Sequence, residues 1–276
     1  MPVIYPPPLD RLLTLGRPDL SAEWLDYRAL GLGDEHVPAL IELIQDPQLE
    51  WAACGEGDDE TPFWARVHAW RALGQLRAAD AAEPLAGVLL RDTEDEWAPE
   101  EIPEALGMIG PVALPAIRDA FPDAARAPEP WVVGSLGAAL RQIATAHPEV
   151  RDEVVAVLTD RLRLWREQDA TMNAFLISDL VEMGVVEAAP VMQEAFENGV
   201  VDESVVGDWE DVQVELGLLA RRTRPRSRFE LGPDPVFRDF EPAPVRAAQR
   251  STKAAAKARN RRKTAKQSRK KNRRRR

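Results

Sequence analysis

The side chains that carry covalent chemistry are few and widely separated in this chain. Its histidines are His36, His68 and His147, its single cysteine is Cys54, and its carboxylates are dispersed. A metal centre or a histidine-based catalytic site needs several such groups close in sequence or at helical spacing. His36 and His147 instead fall at helix corners, where capping or solvation is the ordinary role. There is no Gly-rich phosphate loop with its lysine, no HExxH and no paired-cysteine spacing. Gly134-Ser135-Leu136-Gly137 has the wrong spacing for a nucleophile elbow. Cys54 cannot form an internal disulfide, fits a reducing compartment and reads as a packed or loop residue. No catalytic residue, metal or cofactor is assigned.

His68 is the one histidine with a functional reading. It stands one helical turn after Trp64 and near Arg71, so the three would form a recognition patch if their helix face were open. The competing role is a partly buried packing position between helices. Acidic residues gather in loops entering helices: Asp58-Asp59-Glu60, then Asp92 with Glu94-Asp95-Glu96, then Glu100, Glu101 and Glu104. Carboxylates there complement the helix dipole. In stacked units the same loops would line one edge and offer an acidic strip, with Glu100, Glu101 and Glu104, to a basic protein partner.

The net charge of -10 hides a division. From Arg246 to Arg276 there are 16 Lys and Arg and no acidic residue, which leaves 20 basic against 46 acidic residues before it, a net of -26. The basic stretch includes Arg259, Arg261, Arg262, Lys263, Lys266, Arg269, Lys270, Lys271, Arg273, Arg274, Arg275 and Arg276. Such a tail is expected to be disordered alone, and to bind RNA, the ribosome or DNA through phosphates, weakening with salt. It holds no aromatic residue, so base stacking is not expected of it.

These groups must be positioned by helices. Ala, Leu, Glu and Arg dominate and aromatics are few, a helical bias that predicts an all-α chain. In Thr61 to Leu76, Thr61 is placed to cap, Pro62 fits the first position, and Phe63, Val67, Trp70 and Leu73 form an apolar stripe. Trp64, His68, Arg71 and Gln75 fall on the adjacent face. Further stripes run through Val132, Leu136, Leu140 and Ile143, and through Val154, Val157, Leu158, Leu162 and Trp165. The eight tryptophans are spread over nearly every unit and read mostly as fillers between them.

The helix ends recur. ALGLGDEHVPALIEL starts at Ala29, ALGQLRAADAAEPLAGVL at Ala72, ALGMIGPVALPAI at Ala105 and LVEMGVVEAAPVMQEAF at Leu180: an apolar helix end, a Gly or Gly-like corner, then a helix with Pro38, Pro84, Pro115 or Pro190 near its start. Leu140-Arg141-Gln142-Ile143 opens a fifth. Taking Leu30, Leu73, Leu106, Leu140 and Leu180 as equivalent, the steps are 43, 33, 34 and 40 residues, a period of stacked helix pairs.

This pattern, over roughly residues 20 to 220, resembles HEAT repeats of the phycobilisome-lyase-like type. WARVHAWRALGQL and GDWEDVQVELGL are similar to segments of uncharacterised bacterial proteins of that kind. The resemblance implies an α-solenoid of stacked antiparallel helix pairs. It also implies a rival function, an enzyme or enzyme subunit related to bilin lyases, with a pocket around Trp64, His68 and Arg71.

The expected organisation is an N-terminal capping segment over 1–19, the repeats over 20–220, a linker rich in Pro, Arg and Phe over 221–245, and the basic tail over 246–276. No apolar run reaches the length of a membrane span, and the N-terminal residues lack a signal-peptide layout, so a cytoplasmic monomer is expected. The expected function is a non-enzymatic scaffold that binds a protein on its helices and nucleic acid through its tail. A regulatory alternative folds the tail onto the acidic body.

Overall fold

The computed structural model describes residues 5–19, 22–54, 59–91, 95 and 97–224. The described residues form helices and turns, without a strand. The α-helices are α1 (Val37–Ile44), α2 (Ala65–Leu76), α3 (Ala82–Arg91), α4 (Ala98–Ile109), α5 (Leu114–Ala124), α6 (Trp131–Ala146), α7 (Arg151–Leu162), α8 (Ala170–Glu182), α9 (Ala189–Glu197), α10 (Glu203–Val206) and α11 (Trp209–Glu215). The basic tail and residues 225–245 of the expected linker lie outside the described residues, as do Asp58, Asp92, Glu94 and Glu96 of the acidic loops.

Packing follows the chain. The even-numbered helices α2, α4, α6 and α8 each contact the next, as do the odd-numbered α1, α3, α5, α7 and α9. The two rows meet through α1 with α2, α3 with α4, α5 with α6 and α7 with α8. Each odd helix from α1 to α9 is entered through a short 3-10 turn, at Asp34–His36, Ala79–Ala81, Pro111–Ala113, Pro148–Val150 and Val186–Ala188. Pro38, Pro84, Pro115 and Pro190 all stand in the first turn of their helices, where a missing N–H leaves no helical bond unmade. The core runs continuously through both rows and includes Leu73, Leu106, Leu140 and Leu180 with no exposed surface.

The corners are made differently from one another. Helix α8 ends in a six-residue reverse turn in which Val185 N–H donates to Leu180 C=O and Gly184 N–H to Val181 C=O, with Gly184 at φ +67°. The same bonds close α2, from Ala78 to Leu73 and from Arg77 to Gly74, and here Arg77 takes the left-handed position at φ 53°. Gly74 is therefore not the corner that its ALG spelling suggests. It sits inside α2, where a Cβ would stand 2.9 Å from the Ala105 Cα of α4. Gly107 does the same for Gln142 of α6, with an added Cβ 2.9 Å from its Oε1. These glycines let successive even helices approach closely.

The first expected helix end departs furthest from the pattern. Ala29-Leu30 belongs to a single turn that Asp26 opens by accepting from Ala29 N–H and that Gly31 closes at φ 95°. The segment N-terminal to it takes the place of a helix beside α2. Its 3-10 turn Leu9–Thr14 buries Leu9 and Leu12 and packs on α2 and on the turn Thr61–Trp64. Thr61 does not cap that turn through its own side chain; Asp59 Oδ1 accepts from Thr61 N–H at 2.9 Å instead. At the other end α10 packs on α8, and Trp209 of α11 meets Phe196 of α9 at a tilt of 41° with ring centres 5.6 Å apart. Arg222, placed by sequence in a linker, pairs with Asp208 at 2.6 Å and with Asp211 at 2.8 Å, closing this end over α11.

Candidate functional site

Three polar side chains of α2, His68, Arg71 and Gln75, point toward the N-terminal segment and α4, whereas Arg66 donates to the Ile44 carbonyl at the end of α1 at 3.3 Å. His68 is 2% exposed and uses both ring nitrogens: Nδ1 lies 2.7 Å from the Tyr27 hydroxyl and Nε2 lies 2.9 Å from the Gly16 carbonyl. A carbonyl only accepts, so Nε2 carries the proton and Nδ1 accepts from Tyr27. Arg71, also 2% exposed, grips Glu101 of α4 through two bonds of 2.6 Å. Its guanidinium lies over the Trp24 ring at 5.0 Å. Gln75 uses its whole amide, donating to Leu25 C=O at 2.8 Å and accepting from Tyr27 N–H at 3.1 Å. One continuous network thus joins the N-terminal segment, α2 and α4.

Its electrostatics favour a neutral imidazole. Burial holds the His68 pKa below the ordinary histidine value; the Gly16 carbonyl opposes this, and the Arg71 charge adds to it. Burial raises the Tyr27 hydroxyl against an opposing pull from Arg71, keeping it a donor. Glu104, one turn beyond Glu101, is exposed, yet its carboxyl is raised by desolvation among its neighbours and then by the Glu101 charge.

Beside this network lies an aromatic cluster. Trp51 meets Trp64 edge to face at 4.6 Å, Trp64 meets Trp97 at 4.8 Å, and Arg17 lies 5.5 Å from both the Trp64 and the Trp97 rings. Arg17, Pro18, Asp19 and Trp97 line a cavity of about 360 Å³.

The expected site residues therefore divide. Trp64, His68, Arg71 and Glu101 are brought together but are buried, at 6% exposure or less. They do not form an open patch, because the N-terminal segment covers the face that helical spacing alone leaves free. Glu100 and Glu104 are exposed on α4. A histidine with both nitrogens committed and a carboxylate doubly held by arginine leave neither a free base nor a free acid in the network. Among the described residues no group of three His, Cys, Asp or Glu is placed to hold a metal ion. Of the tryptophans, Trp64, Trp70 and Trp165 are buried; Trp24, Trp51, Trp97, Trp131 and Trp209 are half-buried.

Sequence reading missed Gly16, Arg17, Trp24 and Tyr27, which lie 40 or more residues from most of their partners and carry no pattern that links them. It also missed a usable signal. Trp64, Trp97 and Trp131 each precede Leu73, Leu106 and Leu140 by nine residues and stand at the N-terminal ends of α2, α4 and α6. That register makes His68, Glu101 and Ser135 equivalent, the side chains that each even helix turns into its polar contacts.

A second buried network ties α8 to its neighbours. Asn173, fully buried, donates to the carbonyls of Trp165 and Val200 at 3.0 and 2.9 Å and accepts from Gln168 at 3.0 Å. Both groups it donates to are backbone carbonyls, so its role is to fix the chain. No helix among the described residues is long and apolar enough to cross a membrane.

In comparisons with known proteins, no family model, no curated protein and no solved structure matches this chain.

Proposed function

We propose that the protein is a non-enzymatic scaffold: an α-solenoid of HEAT-like helix pairs that binds a protein partner, with a basic tail that associates with RNA, the ribosome or DNA. The observation that carries the first half is the succession of contacts from α2 to α8 and from α1 to α9, with tryptophans in the same register at three even helices. Such an array presents side chains from successive units along a continuous surface, the property on which repeat scaffolds depend. The exposed Glu100 and Glu104 suit a basic partner segment. Support for the second half is the charge of residues 246–276, 16 basic residues without one acidic residue.

A pull-down from native lysate, with and without nuclease, tests both halves. Partners kept after nuclease are bound by the helices, and partners lost are bridged by nucleic acid. A nuclease-treated pull-down without any stoichiometric protein would sink the scaffold reading. For the tail, deletion of residues 246–276 should abolish RNA binding and its steep salt dependence; unchanged affinity and slope would refute it. The division between a body of -26 and its basic tail also favours a regulatory reading, in which the two compete with nucleic acid for one another. Stronger RNA binding by the isolated tail than by the full chain at low salt is its expected mark.

A further inference from the structure

We propose that His68 is a pH-operated latch that seats the N-terminal cap on α2 and releases the Tyr27 turn when the ring takes up a second proton. This goes beyond the scaffold reading and does not depend on it. The geometry is specific to a neutral ring. Nε2 already donates to the Gly16 carbonyl, so Nδ1 is the only nitrogen left to protonate, and it lies 2.7 Å from the Tyr27 oxygen that donates to it. A proton there sets two donors against each other. Tyr27 would have to turn its own proton away from the ring before its oxygen could accept.

The surroundings offer the new charge no partner within the network. On α2, Arg71 is a like charge. On α4, Glu101 is held by both arms of Arg71, and Glu104 lies a turn further on at the surface. On the cap itself, Arg17 is a second like charge, engaged with the Trp64 and Trp97 rings. Burial adds the cost of desolvating an imidazolium.

The lost bond is not isolated. Tyr27 is also held through its N–H by Gln75, which holds Leu25 C=O with the same amide, and Trp24 covers Arg71. Lifting the Tyr27 turn therefore uncovers Arg71, Gln75 and Glu101 together. Acid converts the polar face of α2 from a covered surface into an open one, with charged and amide groups ready for another extended segment.

Hydrogen exchange on the full chain, corrected for the intrinsic pH dependence of the chemical step, tests the latch. Between pH 7.5 and 5.5, peptides covering Trp24 to Leu32 should lose protection by up to about tenfold, the most that one imidazole can supply over this range, while peptides covering Leu136 to Ile143 in α6 keep theirs. In His68→Gln, which carries no titrating ring, the pH response of that segment should vanish. Tyr27→Phe keeps the histidine and removes the conflicting hydroxyl; its segment should be less protected at pH 7.5 and lose less protection in acid than the wild type does. Parallel loss of protection in wild type and both variants, or loss in wild type only together with α6, would overturn the proposal. If His68→Gln fails to fold by circular dichroism, the Tyr27→Phe comparison decides it alone.

Discussion

Ser135 on α6 donates its hydroxyl to the Pro99 carbonyl on α4 at 3.3 Å, and that carbonyl is the one Pro103 leaves without its helical donor. A proline in a helix interior removes the N–H that would bond the carbonyl four residues earlier. The neighbouring helix supplies the missing donor, so a local defect in α4 becomes a bond between successive even helices.

Ser135→Ala should therefore cost about 1 kcal/mol, as the part-buried carbonyl loses its partner. In a Pro103→Ala background, where alanine restores the helical N–H, the same change should cost markedly less. Urea unfolding of the four proteins in a double-mutant cycle measures the difference. Equal costs in both backgrounds would separate the two residues.

Arg71 and Glu101 form a buried pair in which each partner is the other's main compensation. Removing one alone, by Arg71→Met or Glu101→Leu, should destabilise by about 3–5 kcal/mol, since it leaves an uncompensated buried charge. The double variant should recover most of that loss, because an apolar pair of similar volume avoids the desolvation penalty altogether. Thermal or denaturant melts of the two single variants and the double variant check this.

Glu104 should act in the opposite direction from most surface carboxylates. Its folded-state pKa is raised, so the folded chain holds this proton more firmly than the unfolded chain. Stability from this group is full below its ordinary value of 4.5 and is lost as pH rises through the higher folded value. Glu104→Gln should then be more stable than wild type at pH 7, with the difference closing toward about pH 3.5. Melting curves at the two pH values show whether the gap closes in that direction.

Arg77 occupies a left-handed position that glycine fills in the corresponding turn after α8. Arg77→Gly should raise stability by up to about 1 kcal/mol, the relief of the Cβ clash offset in part by the greater freedom of glycine when unfolded. An unchanged or lower urea midpoint would show that the arginine side chain contributes more than its backbone costs.

The helices were legible because their signals are local. Apolar stripes place Leu73, Leu106, Leu140 and Leu180 in the core, and each first-turn proline marks a helix start. The corners were less legible. Gly74 and Arg77 have exchanged the roles their types suggest, because a helix surface against Ala105 needs the missing Cβ more than the turn needs it. The expected patch on α2 had the right members and the wrong exposure. Helical spacing shows which side chains share a face, whereas the cover on that face comes from Gly16, Trp24 and Tyr27, far away in the chain and joined to it by bonds that leave no periodic trace.

The segment that covers α2 is also specific to that helix. The cap is fitted to His68, Arg71 and Gln75. The residues in the same register are Glu101, Glu104 and Met108 on α4, and Ser135, Ala138 and Gln142 on α6. Neither set offers the cap an imidazole acceptor for Tyr27 beside a guanidinium for Trp24. Of the three helices, α2 alone carries the side chains that hold Gly16, Trp24 and Tyr27, so the covering segment could not be moved to α4 or α6 without losing all three contacts.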